Sequence, residues 1–562
     1  MVQPAPPAIE LANPPKGPEY WKYLPRVAYA LSMLVLALGL VHVWRTMQED
    51  DRVMRHTLLR QARILAAAIP PGDLKILQGT ADDLAEPQYH RLKRQIEILH
   101  RTQPNLRYIY LVGHRNNGEI FFFLDNAPAD TPDYVAPGTV YQDASPTFRL
   151  AVSTGKEITE GPLADQWGNW ISAVTPIINH STGRPIAALG IDVDASHWQR
   201  QLLHQATPRA LAVFTIWLFA LAAIAVIQRR YRLDPQAADQ SPTLITALIA
   251  IFGIMFTAYA CWHTYEKEKQ EHANSFYRLA EAQTGVTARK FHAIATTELA
   301  GLAHFFTSRP DIRKDEFDRY IRYLIGKPPV SLWGWTEPVP ATERDAFASH
   351  AQQRDIGTLT IWEPGPNREI RPAQGRDTFY PVLFYAPENG NERILGADLG
   401  CEAKRLRAIT DAIHSRLPTT TGPVGLGFND RSRGMIIFSP VFASDDPASF
   451  RGIAFATINF AQFVNREFRR SDMQHISLHT LNDDAFPELL CESGKDPDCP
   501  DHHAFTRPFF AFGQVFLLNS HPNLSFFQAH PFRRVRGTLL TGLALSLALA
   551  IICNLLLKRR AK

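Results

Sequence analysis

The sequence has no large excess of charge of either sign. Its 562 residues include 59 Lys and Arg against 55 Asp and Glu, which leaves a formal net charge of +4. Proteins that bind nucleic acid usually concentrate positive charge. The composition therefore argues against that class, and we expect no nucleic-acid partner.

Catalytic motifs are also lacking. The chain contains no Walker loop, no GxGxxG, no HExxH and no GxSxG, the patterns that mark nucleotide, zinc-protease and serine-hydrolase sites. No arrangement of a nucleophile and a base stands out either. We therefore expect no catalytic domain and no cofactor in this chain.

Four long apolar runs organise what is present. They cover residues 27–44, 210–227, 244–262 and 538–557 and contain no charged residue. Each is long enough to cross roughly 30 Å of hydrocarbon as a helix. Arg45 and an acidic stretch follow the first run in place of a small-residue cleavage site, so we interpret it as an anchor and not as a signal peptide. Buried core helices are the alternative to four transmembrane helices.

Positive charge near the span ends predicts the orientation. Basic residues cluster in 1–26, 228–243 and 558–562, which lie on one face if the spans alternate. Arginines also flank spans on the other face, but long translocated domains follow the rule weakly. We expect a bacterial inner-membrane protein with residues 45–209 and 263–537 in the periplasm or outside the cell.

Region 45–209 has the pattern of an antiparallel α+β domain. A helical stretch ends at Pro70 and Pro71, and the strands YIYLVG (108–113) and IFFFL (120–124) flank an Asn-Asn-Gly turn. A second strand pair, WISAVTPII (170–178) and PIAALGIDV (185–193), follows. Helices followed by paired strands favour a helix-packed antiparallel sheet.

This order of elements resembles the periplasmic sensor domains of the Cache type. The matching segments are YIYLV, FFFLD, GTVY, ADQWGNWISAVTPI and GIDVD. The resemblance implies a PAS-like sheet on a long membrane-proximal helix, with small ligands against its outer face. A structural role in the core or in turns is the alternative for each candidate pocket residue. These candidates are Tyr110, Asp125, Tyr141, Asp165, Trp167 and Asp192.

Region 263–537 opens with a long helical stem that carries an apolar stripe and continues with alternating strands and helices. Residues 276–468 resemble a CHASE domain, the extracellular sensor of receptor histidine kinases and of nucleotide and diguanylate cyclases. The matching elements include TERDAF, TFYPV, GADL, TGPV and SPV. Strand tryptophans that the family pattern lacks suggest a different pocket and ligand.

The CHASE resemblance implies a second ligand site. In plant cytokinin receptors of this family, an aspartate just before the aromatic-Pro-Val triplet recognises the purine, and Asp377 stands near that place. Charged acceptors and flat aromatic faces would suit a planar or aromatic molecule. The alternative is that Asp377 caps a turn against Arg376 and that the aromatic side chains are core. The candidate residues of this site are Asp377, Tyr380, Trp333, Trp335, Asp398 and Thr421.

The cysteines allow one further prediction. Cys491 and Cys499 bracket a hydrophilic loop and could form a disulfide in an oxidising periplasm. A metal site at Cys499, Asp501, His502 and His503 is the alternative, but it lacks a second ligand cluster at a defined spacing. We expect no metal site.

Together these features predict the ligand-sensing input module of a sensor histidine kinase or diguanylate cyclase of a two-component type. Ligand binding would shift domain packing and act through the stems, and the apolar stem stripes suggest a homodimer. The chain ends five residues after the last predicted span, so we expect the cytoplasmic effector to lie outside this sequence. The alternative is a membrane-anchored solute-binding or transporter accessory protein, but the spans lack the charged residues that usually line a polar path.

Overall fold

The computed structural model divides the chain into two compact units. The helical unit comprises Met1–Val53, Gln199–Glu271 and Phe532–Lys562, and the sheet unit comprises Met54–Trp198 and His272–Pro531. The described residues are 24–179, 182–233, 242–309, 311–357, 359–365, 369–388, 393–426, 432–444, 446, 449–468, 473–494 and 504–560.

Helices and strands are distributed along the whole described chain. The helices are α1 (Leu24–Ala66), α2 (Pro71–Leu74), α3 (Pro87–Arg101), α4 (Pro146–Thr154), α5 (Ala195–Leu233), α6 (Pro242–Ala293), α7 (Leu299–Ser308), α8 (Lys314–Ile321), α9 (Arg344–Gln353), α10 (Ala403–Ser415), α11 (Phe460–Phe463), α12 (Leu524–Ala529) and α13 (Arg533–Arg560). The strands are β1 (Tyr108–His114), β2 (Ile120–Asp125), β3 (Ile158–Asp165), β4 (Gly168–Ile178), β5 (Pro185–Asp194), β6 (Leu332–Thr336), β7 (Val339–Pro340), β8 (Trp362–Pro364), β9 (Ile370–Pro372), β10 (Thr378–Phe379), β11 (Val382–Ala386), β12 (Thr419–Thr420), β13 (Val424–Gly425), β14 (Arg433–Phe442), β15 (Phe450–Asn459), β16 (Gln474–Leu481), β17 (Pro487–Glu492), β18 (Phe505–Ala511) and β19 (Gln514–Pro522).

Among the described residues, four helices are long and apolar enough to span a membrane, namely Arg26–Ala66, Ala195–Arg229, Thr243–Ser308 and Arg533–Leu556. In the most apolar stretch of each, at most 11% of the residues are buried. A core helix buries its apolar side chains, so this exposure argues against the core-helix alternative. A hydrocarbon environment accounts for the exposed leucines and valines.

Small residues allow these helices to approach closely within the helical unit. A Cβ atom added to Gly253 of α6 would lie 2.5 Å from Ser546 Oγ of α13, and one added to Gly542 of α13 would lie 2.5 Å from Thr257 Cγ2. Thr257 Oγ1 and Ser546 Oγ are 3.4 Å apart and share a hydrogen bond. The two small pairs, each spaced four residues apart, follow the small-xxx-small pattern of membrane helix packing.

The first sheet of the sheet unit contains five antiparallel strands in the order β2-β1-β5-β4-β3. Both predicted strand pairs are confirmed, because β1 pairs with β2 and β4 pairs with β5. Every residue of β2 is buried, and β1 and β5 are buried over most of their length. Helix α4 packs against this sheet through Phe148, Ala151 and Val152, which are buried. This is the predicted helix-packed antiparallel arrangement.

Two larger sheets follow in the described part of the chain, besides the two-stranded pairs β7-β10 and β8-β9. The six-stranded sheet has the order β11-β6-β15-β14-β12, with β13 pairing β14, and the four-stranded sheet has the order β17-β16-β19-β18. The first lies within the predicted CHASE region, whereas the four-stranded sheet, at Gln474–Pro522, lies beyond it. The sequence analysis did not predict this sheet.

The apolar stripe of the stem is buried within its own chain. Phe276, Ala280, Phe291 and Ile294 have no exposed surface. Phe276 contacts Phe526 at 5.4 Å between ring centroids. The stripe would predict a dimer only if two chains buried it between them. The stripe is satisfied inside one chain, so it gives no support to a dimer.

Arg354 holds a buried ion pair beside the six-stranded sheet and gives a test of this packing. Its guanidinium donates to Glu337 Oε1 at 2.9 Å and to the Ile312 carbonyl at 3.1 Å, with 6% of the side chain exposed. Removing one partner leaves a buried charge without compensation, so Arg354→Met should lower the free energy of unfolding by about 3 kcal/mol. Thermal and urea unfolding of the full chain in detergent measure this.

The matched control is Arg319→Met. Arg319 also pairs with a carboxylate, Asp315, but its side chain is 70% exposed. Solvent screens such a pair, and its loss should change the stability by less than about 0.5 kcal/mol. Equal effects of the two variants would contradict the buried arrangement of Arg354.

Candidate functional site

A pocket opens on the five-stranded sheet and gathers residues from all five strands. Its empty volume is about 370 Å³, including the solvent-open mouth. That is near the lower end for ligand pockets, so the space suits a small metabolite. All six candidates from the first region line it. The lining residues are Tyr108, Tyr110, Phe122, Asp125, Asp133, Val135, Tyr141, Asp165, Trp167, Trp170 and Asp192.

Aromatic rings form most of the pocket wall. Trp167 lies 5.9 Å from both Tyr141 and Phe122, measured between ring centroids, and Tyr108 lies 5.2 Å from Trp170. The edge-on and tilted angles between these rings leave ring faces available to a bound molecule. Such faces attract cations through the negative potential above the ring.

Asp165 organises the aromatic wall at the β3–β4 turn. Its Oδ1 accepts hydrogen bonds from Trp167 N at 2.9 Å, Gly168 N at 3.1 Å and Trp170 Nε1 at 2.9 Å. Its Oδ2 accepts from the Tyr141 hydroxyl at 3.0 Å. Asp165 is therefore both the turn former that the sequence allows and the residue that orients three rings of the pocket.

Asp192 on β5 is, like Asp125, a buried acid of the pocket. It is buried, and its Oδ1 accepts a hydrogen bond from the Tyr110 hydroxyl at 3.2 Å. Burial raises the pKa of Asp192 to about 7, and the nearby Asp165 and Glu160 add to this effect. The group therefore changes charge near neutral pH.

The other two acids have cationic partners. Lys93 Nζ on α3 donates to Asp125 Oδ1 at 2.7 Å, and Arg107 Nη2 donates to Asp133 Oδ2 at 3.0 Å. The sequence analysis missed both cations and Asp133. For Lys93 a signal was present, because it lies among the buried positions of an amphipathic helix, where a lone charge needs a partner.

The candidates of the second region occupy structural positions. Trp333 and Trp335 are buried in β6, and Trp335 stacks on Phe306 with 3.9 Å between ring centroids. Thr421 Oγ1 accepts a hydrogen bond from Ile436 N at 3.1 Å. The carbonyl of Asp377 accepts one from Ala341 N at 2.9 Å.

Asp398 and Tyr380 do meet. Asp398 has no exposed surface, and its Oδ1 accepts from Tyr380 N at 2.7 Å and from Gly400 N at 3.0 Å. Its Oδ2 accepts from Arg376 Nη2 at 2.7 Å, and Arg376 also pairs with Glu363. These contacts hold the loop before α10 in place, and ligand binding by these residues stays a prediction.

The predicted disulfide and the rejected metal site fall partly outside the described residues. Cys491 is buried in β17, and burial raises the pKa of its thiol to about 12. Cys499, Asp501, His502 and His503 lie outside the described part of the chain. Within that part, no group of three or more His, Cys, Asp or Glu could hold a metal ion.

Solved structures with sensory functions resemble parts of the chain at low identity. The ligand-binding domain of the Campylobacter jejuni chemoreceptor Tlp3, in complex with L-valine, is 16% identical; the match covers 32% of this chain and 66% of that one, with a TM-score of 0.24. The periplasmic sensory domain of C. jejuni Tlp1 is 10% identical, and the match covers 45% of this chain and 95% of that one, with a TM-score of 0.30. An extracellular ligand binding receptor from Desulfohalobium retbaense is 10% identical, and the match covers 45% of this chain and 39% of that one, with a TM-score of 0.23. TM-scores this low transfer no property to this chain.

The family comparison is more specific. Comparison with curated proteins gives no match. Residues 310–490 match the family model of the CHASE domain, and they overlap the segment 276–468 in which the sequence motifs resemble that family. Residues 310–490 of this chain therefore form a CHASE domain, as the sequence motifs predict.

Proposed function

We propose that this chain is the ligand-sensing input module of a transmembrane receptor, and that the pocket on the five-stranded sheet binds its ligand outside the cytoplasm. The observation that carries the proposal is the pocket itself, in which four acids and six aromatic rings converge. The CHASE domain and the four apolar helices support the receptor role. The bacterial inner membrane is the location we propose.

The chemistry of the pocket favours a small organic ammonium ion. None of the eleven described residues that line it is basic. Asp125 and Asp133 have cationic partners, whereas Asp165 and Asp192 accept hydrogen bonds from neutral hydroxyl groups in the described pocket. An ammonium group would compensate this negative charge and contact the aromatic faces. The pocket chemistry thus favours a cation at Asp192, whereas the sequence suggested a planar or aromatic molecule at Asp377.

We further propose a route by which the signal reaches the cytoplasm. The long helices α1, α5 and α6 would carry a shift in the packing of the sheet unit to a histidine kinase or diguanylate cyclase effector. A homodimer remains the expected form for such signalling. Its interface must use surfaces other than the stem stripe, which is buried within one chain.

Choline and ethanolamine should raise the unfolding midpoint of the full chain in detergent. A ligand at a hundredfold excess over its dissociation constant stabilises by about 2.7 kcal/mol, which a thermal-shift assay detects. The neutral isostere of choline, 3,3-dimethylbutan-1-ol, should not stabilise, because it lacks the charge. Comparison of choline with ethanolamine shows whether the pocket prefers methyl groups on aromatic faces or N–H donors to carboxylates.

Two variants show which site is responsible for stabilisation by the ammonium probes. Asp192→Asn keeps an acceptor for the Tyr110 hydroxyl but removes the charge, so it should lose the stabilisation by the ammonium probes. Asp377→Asn should keep it. Loss of the response in Asp377→Asn alone would place the site in the second region, and equal stabilisation by the neutral isostere would refute the ammonium proposal.

Binding of the ammonium probes should tighten as the pH rises. The pKa of Asp192 is raised to about 7, so its carboxyl is protonated at lower pH and charged at higher pH. Affinity should rise by about tenfold per pH unit below that pKa and level off above it, because the cation binds the charged form. Isothermal titration calorimetry over about pH 5.5 to 8.5 measures this affinity. A pH-independent affinity in wild-type protein would contradict the role of Asp192.

A further inference from the structure

Helix α3 lies between the pocket and the part of the sheet unit that contains the CHASE domain. Residues two positions apart on an α-helix point about 200° away from each other. Lys93 and Arg91 are two such residues, and both make buried or half-buried polar contacts with segments distant in the sequence. The two faces of one helix therefore contact two different parts of the unit.

The first face of α3 positions the pocket wall. Lys93 Nζ donates to Asp125 Oδ1 at 2.7 Å and to the Asp125 carbonyl at 3.0 Å, and it also bonds the Ala127 carbonyl. One turn earlier, the Tyr89 hydroxyl is 3.2 Å from the Tyr134 hydroxyl. These contacts fix both ends of segment 125–135, which supplies Asp125, Asp133 and Val135 to the pocket.

The second face of α3 is bonded to the CHASE side. Arg91 donates to the Pro418 carbonyl at 3.0 Å, to Thr419 Oγ1 at 3.3 Å and to Ser415 Oγ at 3.4 Å. Gln95, one turn later on the same face, donates from Nε2 to the Gln514 carbonyl at 3.1 Å. Burial lowers the pKa of Arg91 to about 10. A half-buried guanidinium depends on its partners, so a shift of the helix must alter them.

We propose that α3 couples the pocket to the CHASE domain, so that the two regions respond to a pocket ligand as one unit. A ligand that contacts Asp125 or Val135 changes the segment that Lys93 holds, and the rigid helix carries the change to Arg91 and its partners. The proposal builds on the pocket of the proposed function and adds its regulation. Hydrogen-bond networks and rigid secondary-structure elements can carry such coupling between sites, and α3 with its two sets of polar contacts supplies both.

Hydrogen exchange of the full chain in nanodiscs tests the coupling without a ligand. Two amides report on the two sides: Val135 N donates to Asp125 Oδ2 at 3.1 Å on the pocket side, and Thr420 N donates to the Phe512 carbonyl at 3.2 Å on the CHASE side. Lys93→Met perturbs the first face and Arg91→Met the second. Each variant should raise exchange of the peptide on the opposite side by about fivefold or more while the amides of α3 stay protected.

The control variant lies on the same helix. Arg94 pairs with Asp483, but both side chains are exposed, so Arg94→Met should change exchange at Val135 and Thr420 by less than about twofold. If either methionine variant melts α3, which fast exchange of its own amides would reveal, Lys93→Gln or Arg91→Gln replaces it, because glutamine keeps a donor.

The outcomes separate the coupling from the ligand proposal. Exchange changes confined to each variant's own side, with α3 protected, overturn the coupling whatever the pocket binds. In a second arm, choline or ethanolamine should protect the Thr420 peptide in wild-type protein and not in Arg91→Met. If the exchange changes cross α3 but neither probe binds, the ammonium proposal fails and the coupling stands.

Discussion

Burial of the stem stripe inside its own chain is the constraint on which the rest of the sheet unit depends. Phe291 of α6 lies within 6.4 Å, between ring centroids, of four other phenyl rings. One of these rings follows the six-stranded sheet and the others belong to the four-stranded sheet or its β18–β19 turn. Burial of one such side chain stabilises by roughly 1.5–3 kcal/mol, so the stem and both sheets are held together. The rings are those of Phe463, Phe509, Phe512 and Phe516.

Carboxylates set the chemistry of the pocket, and the protein compensates their charge in three different ways. Asp125 has the ammonium group of Lys93, and Asp165 has four neutral donors. Asp192 instead has a pKa near neutrality, because burial disfavours its charge. A cation and a proton therefore compete for Asp192. Ligand recognition and pH sensitivity thus have the same physical origin at this site.

The sequence predicts features that depend on local pattern and misses those that depend on distant partners. The four apolar helices follow from runs long enough to span hydrocarbon, and the β1–β2 and β4–β5 pairs follow from short turns. Lys93 and Arg91 escaped notice because their partners, Asp125 and Pro418, lie 32 and 327 positions away. Composition likewise does not distinguish a core tryptophan such as Trp333 from a pocket tryptophan such as Trp167, since both are apolar and flat.

Reciprocity gives the pocket and the CHASE domain a common thermodynamic description if α3 couples them. A ligand shifts an equilibrium only by the difference of its affinities for the two states. If a ligand in the pocket changes the affinity of the CHASE domain for its own ligand by some factor, the CHASE ligand must change the affinity of the pocket by the same factor. The polar contacts of Arg91 and Lys93 set an upper limit on that coupling, because only interactions that differ between the two states contribute. The stems would then carry one combined state of the sheet unit, not two separate signals.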